Sequence, residues 1–308
     1  MLSFLGLSRA RYTMVVSERE AKLLAKIAVE SGAHPAPKAR ELAAGDGWAV
    51  SDVVCTAGPM DRPFEEQHAR TSIAIVVSGT FQYRSPAGCE LMTPGSLLLG
   101  NAGDCFRCSH QHGTGDRCVS FSYAPEFFER LAYDAGGGRA HFNVPRLPPI
   151  RVLAPLVEKA NALLAGCGSV DHEELSIQVA AQAIQIRHGI TFDRTCAAPS
   201  SLARVTRVVR MIDSQPEIPH NVSSLARIAR LSPYHFLRTF ERVTGATPHQ
   251  YLLRMRLCRA AIRLRTERTK IVDIALGCGF GDVSNFNRAF RSEFGVSPRV
   301  HRGTVGSR

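Results

Sequence analysis

The stretch from Ile274 to Pro298, "IALGCGFGDVSNFNRAFRSEFGVSP", decides the fold of its third of the chain, because an earlier stretch repeats its skeleton. Residues 225–248 read "LARIARLSPYHFLRTFERVTGATP". Phe236, Arg238, Phe240, Gly245 and Pro248 recur as Phe286, Arg288, Phe290, Gly295 and Pro298, each fifty positions later. Ala226 and Ala275 are offset by forty-nine, so the second copy has one more residue in its turn. Each copy reads as helix, turn, helix. In the first, Leu225, Ile228 and Ala229 share one side of a short helix. Ser232 is placed to cap the next helix, and Pro233 suits its first position, where a missing N–H costs little. Phe236, Phe240 and Val243 then recur at i, i+4 and i+7 as an inward stripe. In the second copy Gly279 supplies a left-handed turn, Asp282 the cap, and Phe286, Phe290 and Phe294 the stripe. Thr247-Pro248 opens a connecting helix to about Arg265, and Ser297-Pro298 opens a short final one.

The outward faces follow from the inward ones. Tyr234, Leu237 and Arg238 project away from the first stripe, and Ser284, Asn285, Asn287 and Arg288 from the second. Arg pairs bidentately with guanine and Asn with adenine, so these faces suit base-edge reading. A connecting helix of about seventeen residues spans about 26 Å, compatible with two readers entering groove segments about 34 Å apart. Arg263, on that helix, is expected to touch phosphate at most. Charge agrees: residues 203–308 hold 19 Lys+Arg against 7 Asp+Glu, whereas residues 1–202 hold 19 against 20. A neutral part joined to a basic one points to a nucleic-acid module attached to something else.

These residues resemble the DNA-binding domain of the AraC/XylS family of bacterial transcription regulators. The second copy carries the family's Ile-Ala, Gly-Phe, Asp-x-Ser-x-Phe-x-Arg-x-Phe and Phe-Gly-x-Ser-Pro in order. The first matches through "LARIARLSPYHFLRTFERVTG" and the following "YLLRMRLCRA". The resemblance implies a seven-helix domain, two recognition helices in successive major grooves, and regulation of transcription. The outward residues Tyr234, Leu237, Arg238, Ser284, Asn285, Asn287 and Arg288 are the expected DNA contacts, with Leu237 and Val283 less polar than the family often shows. A double-stranded operator, RNA polymerase and a second copy of the chain are the expected partners, and the scattered cysteines point to the cytoplasm.

From about Trp48 to Tyr123 the chain reads as short strands between Gly and Pro: "GWAVSDVVCT", "TSIAIVVSGTFQYRS", "SLLLGN", "DRCVSFSY". Such patterning predicts a sandwich or barrel. "HARTSIAIVVSGTFQY" followed by "PGSLLLGNAGD" is similar to the cupin barrel that often precedes these DNA-binding domains. Of the cupin metal ligands only His68 stands in place; Glu66, Ser72 and Leu99 occupy the other positions. A cupin metalloenzyme is therefore disfavoured, and no catalytic constellation is present. The stretch "CFRCSHQHGTGDRC", residues 105–118, offers a different set. Residues two apart share a strand face, so Cys108, His110 and His112 form a candidate metal site, with thiolate and imidazole suited to zinc. The alternatives are a thiol-redox sensor and a purely structural strand. A small molecule or a metal is the expected effector.

Pro155 opens a helix ending at Gly166, and Asp171 with Glu174 forms a capping box for another reaching about His188. The predicted organisation is α+β and multidomain. Residues 1–47 form an N-terminal helical segment including "SEREAKLLAKIAVESG", with Met14 a possible start. Residues 48–150 form a cupin-like barrel with flanking helices, and 151–188 a helical pair, either for dimerisation through faces that include Leu156 and Leu163 or for packing on its own barrel. Residues 189–202 are a linker, and 203–302 an all-α domain with two helix-turn-helix motifs. No stretch approaches a membrane span, and nine scattered cysteines indicate reduced thiols.

Overall fold

The computed structural model describes residues 37–61, 63–110, 115–136, 141–166, 170–186 and 197–303. The predicted N-terminal helix, the alternative start, His112 and most of the predicted linker lie outside these residues.

Two antiparallel sheets form the first part. The larger has the order β1-β2-β9-β4-β7-β10, built from β1 (Lys38–Gly45), β2 (Trp48–Cys55), β4 (Thr71–Gly79), β7 (Leu97–Gly100), β9 (Asp116–Tyr123) and β10 (Arg146–Leu147). The smaller has the order β3-β8-β5-β6, from β3 (Phe64–Gln67), β5 (Phe81–Ser85), β6 (Gly88–Met92) and β8 (Cys105–Ser109). The central strands of the larger sheet bury both faces, which explains near-continuous apolar runs such as "SIAIVV". Ile73, Ile75, Leu97, Leu99, Val119 and Phe121 pack beneath helices, while Ala74, Val76, Leu98 and Cys118 face the second sheet.

Two expectations about strands are corrected. Lys38–Gly45, assigned to the N-terminal helical segment, is a strand paired along β2. Its Ala, Leu, Glu and Lys favour helix, but the Asp46-Gly47 turn, with Gly47 at φ +86°, folds it back as a hairpin. "TSIAIVVSGTFQYRS" is two strands, not one. At Gly79 (φ +79°) the chain leaves the larger sheet for the smaller, and a Cβ there would lie 2.3 Å from the Gly115 carbonyl oxygen.

Three helices cover the outer face of the larger sheet: α1 (Pro125–Asp134), α2 (Ala154–Ala165) and α3 (His172–Ile186). α2 stops at Gly166 in the left-handed conformation, and Asp171 caps α3 by accepting from the Glu174 N–H at 2.7 Å. Leu156, Val157, Ala160, Leu175, Val179 and Ala183 are buried against the sheet, with Leu163 partly buried beside them. The apolar faces expected to pair two subunits are thus occupied within the chain. The sequence cannot separate these roles, since both need the same stripe.

Seven helices follow: α4 (Pro199–Ser214), α5 (Val222–Ala229), α6 (Pro233–Thr244), α7 (Pro248–Thr266), α8 (Ile271–Gly277), α9 (Val283–Phe294) and α10 (Pro298–Gly303). They enclose two cores. Phe236, Phe240 and Val243 join Leu225, Ala229 and Val205 in the first, and Phe286 and Phe290 join Ile274, Ala275 and Phe280 in the second. α7 ties them together, giving Tyr251 and Leu252 to one and Leu257, Ala260, Ala261 and Leu264 to the other. Each cap lies where the residues place it. Ser232 accepts from the N–H of His235, Asp282 from that of Asn285, and Thr247 with Gln250 completes a capping box. The first motif turns through Arg230 at φ 53°, the second through Gly279 at φ +87°.

Both parts are joined by buried polar contacts. Arg146, fully buried, pairs with Glu90 at 2.9 Å and donates to the carbonyl of Thr244 at 3.1 Å. Glu158 of α2 accepts from Arg265 of α7 at 2.5 and 3.2 Å, and His301 of α10 lies 3.4 Å away.

Candidate DNA-reading surface and effector cavity

The helices α6 and α9 are amphipathic by construction. A buried phenylalanine every fourth residue turns the intervening positions outward. Tyr234, Leu237, Arg238, Ser284, Asn285, Asn287 and Arg288 are all exposed, while Phe236, Phe240, Phe286 and Phe290 between them are fully buried. Val283 is only half-buried. Tyr234 is the most exposed aromatic of the two helices at 64%. It holds Arg238 one turn on: the guanidinium carbon lies 5.8 Å from the ring centroid, and Nη1 is 3.3 Å from the phenol oxygen. Such stacking limits the rotamers of a long cation and keeps its donors pointing outward. Both outward faces stay open with the two parts of the chain docked.

The arginines of the connecting helix have partners within the chain. Arg263 Nε and Nη2 donate to the two carboxylate oxygens of Glu267 at 2.8 and 3.0 Å, and its guanidinium lies over Gly277, where a Cβ would sit 2.7 Å from Nη1. Arg256 donates to the carbonyls of Pro216 and Ile218, Arg259 pairs with Glu217, and Arg254 donates to the carbonyl of Pro149. Through these contacts the arginines brace α7 against the segments on either side of it. Sequence counting registers their charge but not their partners, which lie 38–105 positions away except for Glu267.

Between the two sheets lies a cavity of about 290 Å³. Its wall includes Cys55, Glu66, His68, Ser72, Phe81, Phe106, Cys108, His110, Asp116 and Cys118. Of the positions aligned with cupin ligands, His68, Glu66 and Ser72 reach this wall, whereas Leu99 is buried on the opposite face of its sheet. His68 is buried, its Nε2 2.8 Å from the Tyr83 hydroxyl and its ring stacked on Phe106 at 4.2 Å. Burial pushes it down to about 4 despite Asp104 nearby, so it is neutral at pH 7.

Cys108 and His110 share the inward face, as the strand period requires, and Cys105 is exposed. The ligand atoms that meet His110 are not those expected. Its Nε2 lies 2.5 Å from Asp116 Oδ2, and Cys55 Sγ completes a group whose three ligand atoms all lie within 4.8 Å of one another. Cys108 stands outside that trio. Burial, then Asp116, pushes the Cys55 thiol up to about 12 and those of Cys108 and Cys118 upward too. Such thiols are poor nucleophiles, which weakens the redox-sensor reading at these positions.

A family model described as "Helix-turn-helix domain" matches residues 225–304. The regulatory protein SoxS of Salmonella typhimurium is 33% identical over 98 residues, covering 32% of this chain and 92% of SoxS. The transcriptional regulator ArgR of Pseudomonas aeruginosa is 33% identical over 103 residues, 33% of this chain and 31% of ArgR, so the chain spans about a third of that relative's length. Among solved structures, a regulator from Chromobacterium violaceum described as AraC-type aligns at 28% identity. The alignment covers 36% of this chain and 98% of that one, with a TM-score of 0.33.

Proposed function

This chain belongs to the AraC/XylS family of transcription regulators, and from that premise we propose that α6 and α9 read two successive major-groove segments of a double-stranded operator. One observation carries the reading: on both helices the polar side chains at the reading positions are exposed, while buried phenylalanines fix the backbone beneath them. Arg238 and Arg288 are assigned to guanine, Asn285 and Asn287 to adenine, and Leu237 to a thymine methyl. Tyr234 positions Arg238, and Ser284 hydrogen-bonds to either a base or phosphate. α7 sets the spacing, and its 19 residues correspond to about 28 Å.

The cavity between the sheets is assigned to the effector; Glu158 and Arg146 join the two parts of the chain without lining it. RNA polymerase and a second copy of the chain belong to the same reading. The dimer contact is placed away from Leu156, Val157 and Ala160, whose side chains are buried within the chain. No described helix is long and apolar enough to cross a membrane. A DNA-bound regulator works in the cytoplasm.

The test is a mobility-shift titration of the full chain on its selected operator. Arg238→Ala and Arg288→Ala are each expected to cost about 1–3 kcal/mol of specific affinity. Unchanged affinity in both would overturn the assignment.

A further inference from the structure

We infer that Cys55, His110 and Asp116 form a binding site for one divalent metal ion of borderline softness, zinc above all, with a fourth coordination position facing the cavity. The inference is independent of DNA reading, since all three residues belong to the double-sheet part of the chain.

Strand pairing makes the site. Cys55 ends β2 and Asp116 begins β9, and the two are direct cross-strand partners. His110 follows β8 of the other sheet, so its imidazole closes the gap between sheets from the opposite side. The residues are 3%, 5% and 6% exposed, and their donors are one sulfur, one nitrogen and one oxygen. Tetrahedral zinc with bonds of about 2.0–2.3 Å keeps its ligands roughly 3.3–3.8 Å apart. Ligand atoms already within 4.8 Å reach that spacing by side-chain adjustment alone. The present 2.5 Å hydrogen bond between His110 and Asp116 is what the ion would replace.

Two further features favour a cation here. Cys118 Sγ lies 3.6 Å from Asp116 Oδ1 and orients the carboxylate, as outer partners do in metal sites. No lysine or arginine lines the cavity among the described residues, so a metal would supply positive charge that the wall lacks. Binding is proton-balanced: the Cys55 thiol releases its proton to solvent on coordination, the imidazole of His110 offers one ring nitrogen with its N–H on the other, and nothing is oxidised. Three protein ligands leave one position open, the arrangement that lets a metal accept an exogenous donor. That donor would enter through the cavity bounded by Phe81, Phe106 and Leu98.

The experiment strips the full-length protein with a chelator and titrates it with Zn²⁺ and with Co²⁺ alone. One equivalent per chain is expected, with a thiolate-to-cobalt charge-transfer band in the near ultraviolet. X-ray absorption of the zinc-loaded wild type is expected to show one sulfur among nitrogen and oxygen ligands, a readout needing no variant. Cys55→Ser is expected to abolish the cobalt band, His110→Gln to weaken binding by at least tenfold, and Cys105→Ser to change neither. Operator binding by each variant checks that the helical domain is intact. Absence of metal binding by the wild type, a sulfur-free or all-sulfur environment, or an unchanged band in Cys55→Ser would each overturn the site. Loss of operator binding alone would leave it standing and count against the DNA reading instead.

Discussion

Gly100 and His68 show how one backbone position sets the chemistry of the cavity. A Cβ on Gly100 would lie 2.3 Å from His68 Nε2, so the imidazole occupies space that only glycine leaves free. Tyr83 and Phe106 hold the ring on its other sides. Gly100→Ala is therefore expected to destabilise the protein by about 1–3 kcal/mol, measurable in urea unfolding. The same ring gives a pH signature. Its folded-state value of about 4 lies below the ordinary 6.5, so between these values the unfolded chain binds the extra proton. Stability is then full above pH 6.5 and falls as pH drops toward 4, by roughly 3 kcal/mol in total. His68→Phe is expected to flatten that part of the stability–pH curve. The residue scale is also where sequence reading reached least far. His110 stands out within a dense local cluster, but its partner Cys55 lies fifty-five positions earlier, and nothing inside the cluster distinguishes Asp116. Only the register of β2 against β9 brings Cys55 and Asp116 side by side, and register is not written within fourteen residues.

At the scale of elements, legibility divides along the same line. Helices α5 to α10 were placed from local signals, because Ser232, Asp282, Thr247 and the phenylalanine stripes act within one or two turns. β1 was missed because its composition favours helix and only pairing makes it a strand. α2 and α3 are legible as helices, but their apolar stripes serve equally for packing on the barrel, as Leu156, Val157 and Ala160 do, or for pairing with a second chain. α2 carries the contact that now defines its role. Burial alone would raise Glu158, but hydrogen bonds from His301 and Arg265 hold it below the ordinary carboxylate range. Its stabilising contribution is therefore present above pH 4.5 and lost as pH falls through its lower folded value. Glu158→Ala leaves Arg265 without its carboxylate at a largely buried position and is expected to cost about 3–5 kcal/mol in thermal or urea unfolding. Arg263→Ala provides a contrast on the same helix. Its bidentate pairing with Glu267 makes it a brace, so a lower melting temperature is expected with sequence preference unchanged. A uniform loss of DNA affinity without loss of stability would return it to the phosphate contacts.

The whole molecule joins a neutral double-sheet part to a basic helical part through contacts too buried to be incidental. Docking leaves both outward helix faces open, so the arrangement is compatible with DNA contact without separation of the parts. In the proposed reading, α6 and α9 act as two readers held at a fixed spacing by α7. Its most direct test is selection of preferred operators from a randomised duplex library with the wild type, Arg238→Ala and Arg288→Ala. Each variant is expected to lose base preference within its own short segment. The two segments are expected to lie about one helical turn, roughly 10 base pairs, apart. Loss of preference at a single shared segment, or unchanged preference in both variants, would contradict it.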